Sequence, residues 1–136
     1  MSSSNTQFAL CAIGNVLIAD DDSIVRQVLR KILEGAGIDE ISEASDGVEA
    51  LQNFAVKKPD MVCLDVEMPG ITGIDVLAKI RSQSPNTIVL LISAFTTTQN
   101  VLGAIRLNAD GIIAKPFTRE KVIGEIERAL SKKRNS

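Results

Sequence analysis

The chain of 136 residues has no histidine, no tryptophan and no tyrosine. Without histidine, imidazole acid–base catalysis and imidazole metal ligation cannot arise within it. Its two cysteines, Cys11 and Cys63, are too far apart for a zinc-type spacing. Cys63 lies in an apolar run, where a free thiol behaves as a small apolar residue, and such usage predicts a reducing, intracellular setting. An excess of one charge is also lacking. The formal net charge of −2 offers no general attraction to nucleic acid. No apolar run approaches the length of a membrane span. Met1–Gln7 carries no basic residue, and the patch Phe8–Ile13 is too brief for a secretion signal with proper flanks. These absences predict a soluble, cytoplasmic protein without nucleic acid or membrane as partners.

What is present is apolar. Hydrophobic residues make up 45% of the chain, enough for the core of one domain. We expect a loosely ordered leader over residues 1–14, one domain over 15–131, and a fraying tail over 132–136. The leader's apolar patch is free to dock on the domain or on a partner.

Strands are expected at about Asn15–Ala19, Glu40–Ala44, Met61–Leu64, Thr87–Ile92 and Ile112–Ala114. Helices are expected at about Ser23–Ala36, Gly47–Lys57, Gly73–Gln83, Thr97–Leu107 and Thr118–Ser131. In the first helix, Ile24, Val25, Val28, Leu29, Ile32 and Leu33 recur at three- and four-residue steps and predict one buried stripe, with Arg26 and Arg30 largely off it. Val48, Leu51 and Ala55 predict the inner face of the second helix; Ile74, Leu77, Ala78 and Ile80 predict that of the third. Asp46 with Glu49, and Thr118, are expected helix caps. Alternating strands and helices predict an α/β fold: a five-stranded parallel sheet, doubly wound and flavodoxin-like, (βα)5. The second strand carries Glu40, Ser42 and Glu43 and reads as an edge. The common strand order for this size is 2-1-3-4-5.

Four of these strands end on groups that carry chemistry. The first runs into Asp20-Asp21-Asp22, the third into Asp65, the fourth into Ser93-Ala94 and the fifth into Lys115-Pro116-Phe117. Open α/β sheets place ligands at the carboxyl ends of their strands, at the switch point in strand order. That point falls between strands 1 and 3, so Asp20, Asp21 and Asp65 should meet there. A helix cap explains one or two acids in a row, but not three.

These segments, in this order, resemble the signature segments of response-regulator receiver domains, over about residues 15 to 131. The likeness implies a CheY-like, single-domain response regulator. It implies Asp65 as the phosphoacceptor, and Mg²⁺ held by Asp20, Asp21, Asp65 and the backbone carbonyl of Glu67. Ser93 would be the conformational hydroxyl and Lys115 the lysine that completes the site, with a cis Lys115–Pro116 bond. The phosphoryl donor would be a sensor histidine kinase or a histidine phosphotransfer protein. The surface of the fourth helix, fifth strand and fifth helix would then change its partner binding. Ile112 stands where the family often carries a rotating aromatic, so switching here must use aliphatic repacking or backbone motion. Output would pass to a downstream protein or through a phosphorylation-dependent homodimer.

The chemistry suits the residue types. Clustered carboxylates raise one another's pKa unless a cation intervenes. Mg²⁺ prefers oxygen ligands and keeps several waters. A carboxylate so placed can act as a nucleophile toward phosphorus. The chain is expected to be a switch, not a turnover enzyme. A dehalogenase-type phosphatase also pairs an aspartate nucleophile with Mg²⁺, a lysine and an acid two residues on, but its nucleophile lies on the first core strand, whereas Asp65 ends the third.

Overall fold

A computed structural model of the protein describes residues 10, 12–94, 102–104 and 106–134. Five strands form one sheet: β1 (Asn15–Ala19), β2 (Glu40–Ala44), β3 (Met61–Asp65), β4 (Ile88–Ser93) and β5 (Gly111–Ala114). All pair in parallel, in the order β2-β1-β3-β4-β5, with β2 at an edge. Helices α1 (Ser23–Gly35), α2 (Gly47–Lys57) and α3 (Gly73–Gln83) follow the first three strands, and a C-terminal helix (Arg119–Arg134) follows β5. Of the helix expected at Thr97–Leu107, residues 102–104 and 106 are helical and Leu107 lies in a turn, while residues 97–101 and 105 lie outside the described residues.

The sheet divides the core by strand periodicity, since successive side chains point to opposite faces. Val16, Ile18, Met61, Cys63, Leu90 and Ile92 meet α1 and the C-terminal helix through Leu29, Leu33, Val122 and Ile126. Leu17, Ala19, Val62, Leu64, Val89 and Leu91 meet α2 and α3 through Ala50, Phe54, Val76, Leu77 and Ile80. Every residue of β3 and β4 is buried, as central parallel strands require. Burial also raises the Cys63 thiol to about 12.

The helix faces depart from the expected stripes. On α1, Leu29 and Leu33 are buried, but Ile24 is 68% exposed and Val28 43%. The six apolar residues span an arc of roughly 180° at about 100° per residue, wider than one packing face. On α2 the inward residues are Gly47, Ala50 and Phe54, while Val48 and Ala55 are exposed. A Cβ on Gly47 would stand 2.7 Å from the Ile71 carbonyl oxygen, so α2 comes in on its smallest residues. On α3 the buried positions are Gly73, Val76, Leu77 and Ile80, and Ala78 faces outward. The caps at Asp46 and Thr118 accept from the Glu49 and Lys121 amides.

Described residues toward both ends of the chain engage the domain. Leu10 and Ile13 are buried in the core under α1, and Asp60 accepts from the amides of Gly14 and Asn15. At the other end the helix runs past the expected Ser131 to Arg134. Lys133 Nζ donates to the Pro85 carbonyl at 3.1 Å and lies 3.7 Å from Asp110, which ties down residues expected to fray.

Candidate functional site

The carboxyl ends of β1, β3, β4 and β5 lie side by side, because parallel pairing aligns them in register: Ala19 with Leu64, Asp65 with Ile92, and Ser93 with Ala114. Asp20, the residue after β1, is fully buried and held at every polar group. Its amide donates to the Ala44 carbonyl at 3.0 Å, and its carbonyl accepts from Arg26 Nη1 at 2.6 Å. Its Oδ1 accepts from the Asp22 amide at 2.8 Å. Its Oδ2 stands 2.9 Å from Lys115 Nζ, a charge contact without hydrogen-bond alignment. Asp21 is exposed on the same turn, and Asp22 caps α1 through the Ile24 amide.

Asp65 closes β3 and is 2% exposed. Its Oδ1 accepts from the Glu67 amide at 3.3 Å and lies 3.5 Å from Lys115 Nζ. Burial pushes its pKa up to about 7, with help from the Asp20 and Glu67 charges and against Lys115 and the Glu67 amide. For Lys115, burial pulls downward, but the close contact with the Asp20 carboxylate and the charge of Asp65 outweigh it and hold the ammonium above its ordinary value. The Lys115–Pro116 peptide is cis.

Ser93 is buried at the end of β4, and its hydroxyl donates to the Glu67 carboxylate, at 2.9 Å to Oε1 and 3.3 Å to Oε2. The sequence pointed to the Glu67 backbone carbonyl for the metal and gave no sign of this side-chain contact. Arg26 lies off the buried stripe of α1 as expected, but nothing in the sequence signalled that its guanidinium reaches back to the Asp20 carbonyl and Glu43. Ile112 is half-buried on β5 and packs against the core under α3.

The profile of the response regulator receiver domain family matches residues 16–127. The chain belongs to this family. A relative named chemotaxis protein CheY, from Listeria monocytogenes, is 33% identical over 114 residues, covering 84% of this chain and 96% of its own. A CheY of Thermotoga maritima is 36% identical over 108 residues, covering 79% and 90%. Among solved structures, the CheX–CheY–BeF3–Mg²⁺ complex of Borrelia burgdorferi superposes with a TM-score of 0.78 at 34% identity, covering 83% of this chain and 86% of that one.

Receiver domains are signalling switches of two-component systems that interact with histidine kinases or phosphotransfer proteins and with downstream targets, and they typically use Mg²⁺ at an aspartate cluster. In this receiver domain Asp20, Asp21 and Asp65 each offer a carboxylate oxygen, all within 4.8 Å of one another. Three features fit a hard divalent cation. The donor set is all oxygen; the buried Oδ2 of Asp20 lacks an aligned hydrogen bond; and Asp65, raised first by burial, is raised further by the Asp20 charge beside it. Among the described residues, no helix is long and apolar enough to cross a membrane.

Proposed function

We propose that this receiver domain is a phosphorylation-activated switch whose acceptor is Asp65. The observation that carries the reading is the single ammonium of Lys115, 2.9 Å from Asp20 and 3.5 Å from Asp65, joining strand ends far apart in sequence. An Asp65 carboxylate oxygen attacks the phosphorus of a phosphohistidine presented by a kinase or phosphotransfer protein. The new P–O bond forms as the P–N bond breaks, and the departing electron pair stays on the imidazole nitrogen, which takes up a proton. Asp20, Asp21, Asp65 and the Glu67 carbonyl would hold Mg²⁺, which would supply positive charge to the transferring oxygens. Lys115 adds a fixed positive charge from the other side. The relative crystallised with beryllofluoride and Mg²⁺ supports this assignment.

The acyl phosphate then competes for Ser93. A serine hydroxyl has one proton to donate, and here it goes to Glu67. Phosphorylation adds roughly −1.5 to −2 charge and strong acceptors beside that carboxylate, so the Ser93 hydroxyl turns its hydrogen bond to a phosphoryl oxygen and Glu67 is repelled. The change passes along β4 into β5, where Ile112 repacks, and alters the face that β5 and the C-terminal helix share with the fourth helix. Downstream proteins, or a second copy of the chain, read that face. We place the switch in the cytoplasm, where such donors present their phosphohistidine.

Intact-mass measurement tests the assignment, since the chain has no tryptophan or tyrosine to report optically. Acetyl phosphate with Mg²⁺ should add one phosphoryl group, and Asp65→Asn should abolish the gain. No gain from acetyl phosphate or from a phosphohistidine protein would overturn the reading.

A further inference from the structure

We propose that Arg26 is a positioning residue that sets the cation affinity of the aspartate cluster, acting through the main chain of Asp20. Its Nη1 donates to the Asp20 carbonyl at 2.6 Å. That carbonyl belongs to the peptide joining Asp20 to Asp21, and a peptide unit is planar. Holding one oxygen therefore fixes the plane from which both acids project. The same guanidinium donates from Nε to Glu43 Oε1 at 2.9 Å. Glu43 is fixed in turn: its Oε2 accepts from Arg30 Nε at 2.7 Å, and Arg30 Nη2 donates to the Ile41 carbonyl at 3.0 Å. The chain of contacts runs from β2 through Glu43 and Arg26 to the acidic turn. A helical side chain leans toward the helix start, which is how Arg26, in the second turn of α1, reaches back to the end of β1. Arg26 is only 17% exposed at its side chain, so the guanidinium is packed in place.

Two effects of Arg26 oppose each other, and their sign separates them. As a positive charge near three carboxylates it repels a cation. As a clamp it holds two of the ligands in place. Partners that orient metal ligands typically contribute about 10–100-fold to affinity, whereas the positive charge of Arg26 is offset by its ion pair with Glu43 at 2.9 Å. The clamp should win, so losing Arg26 should weaken Mg²⁺ binding although it removes a positive charge.

This rests on the reading of Asp20, Asp21 and Asp65 as a Mg²⁺ site. The test titrates the full chain with Mg²⁺ by calorimetry, comparing Arg26→Gln, Arg26→Lys and Arg30→Gln with the unaltered protein, each well below its melting temperature. Arg26→Gln should bind about 10-fold more weakly or worse. Arg26→Lys keeps the charge but cannot bridge the carbonyl and Glu43 together, and should also bind more weakly. Arg30→Gln removes the same charge but reaches Asp20 only through Glu43 and Arg26, and should weaken binding less than Arg26→Gln does. Phosphorylation by acetyl phosphate should slow in Arg26→Gln at limiting Mg²⁺ and recover at saturating Mg²⁺. If Arg26→Gln binds Mg²⁺ equally or more tightly, the inference fails. Should Arg26→Gln not fold, unchanged affinity in Arg26→Lys overturns it alone. If the unaltered protein takes up no Mg²⁺, the site assignment itself falls.

Discussion

At the scale of single residues, the pocket is electrostatically unfavourable by itself, and that has a pH signature. Asp65 is raised from 3.8 to about 7 in the fold. Between those values the folded chain holds a proton that the unfolded chain has released. Stability of the metal-free protein should therefore fall as pH rises from about 4 to about 7, then level off. Lys115 contributes no slope there, since its raised value lies above 10.5 and its stabilisation is lost only at higher pH. Glu43 acts at the acid end. The hydrogen bond from Arg30 holds its carboxyl below 4.5, against burial and with help from Arg26, so its contribution is present above that value and is lost as pH falls through the lower one. Melting curves across this range should show the decline toward neutrality, and Mg²⁺ should reverse it. A metal-free melting temperature that rises from pH 5 to pH 7 would contradict the upward shift that burial and the Asp20 charge give Asp65.

At the scale of elements, α3 is positioned by a missing side chain. A Cβ on Gly73 would overlap the Asp65 carbonyl oxygen and stand 2.8 Å from Val66 Cα, while the Gly73 amide donates to the Val66 carbonyl at 2.9 Å. Backbone meets backbone there and cannot yield as a flexible side chain could. Gly73→Ala should cost about 1–3 kcal/mol or more, as overpacking does, and should slow phosphorylation by displacing Asp65. Urea unfolding and the acetyl phosphate reaction measure the two effects; full stability in that variant would show that α3 can shift freely. Gly47 and Gly73 also explain what the sequence left hidden. Strands were legible because their apolar runs are unbroken and end on polar groups. Helix faces were less so on α2, because beside Phe54 the contact is made by Gly47 and Ala50, which carry little hydrophobic signal. In the site, Asp20, Asp65 and Lys115 were legible because strand ends fix their direction. The Glu67 carboxylate and the Arg26 guanidinium were not, because neighbours distant in the chain decide where long side chains go.

At the scale of the whole molecule, the folding unit is larger than the span by which the family is recognised. The profile covers residues 16–127, yet Leu10, Ile13 and Ala129 belong to the core under α1. The far end of the molecule is stitched by Arg81, which donates to the carbonyls of Asn108 and Thr87 and to Asp110, with Lys133 joining from the last helix. A chain trimmed to residues 16–127 thus loses lining on one side of the sheet and a cation at its base. At about 1.5–3 kcal/mol for each large apolar side chain removed from the interior, that deficit approaches the whole margin of a small domain. Such a fragment should show a much lower urea midpoint than residues 10–134 and scatter light at concentrations where the longer chain stays clear. Anyone recombining this switch with a foreign output module should therefore splice outside Leu10 and Arg134, since a junction at the recognised borders would join two proteins through an uncovered greasy seam.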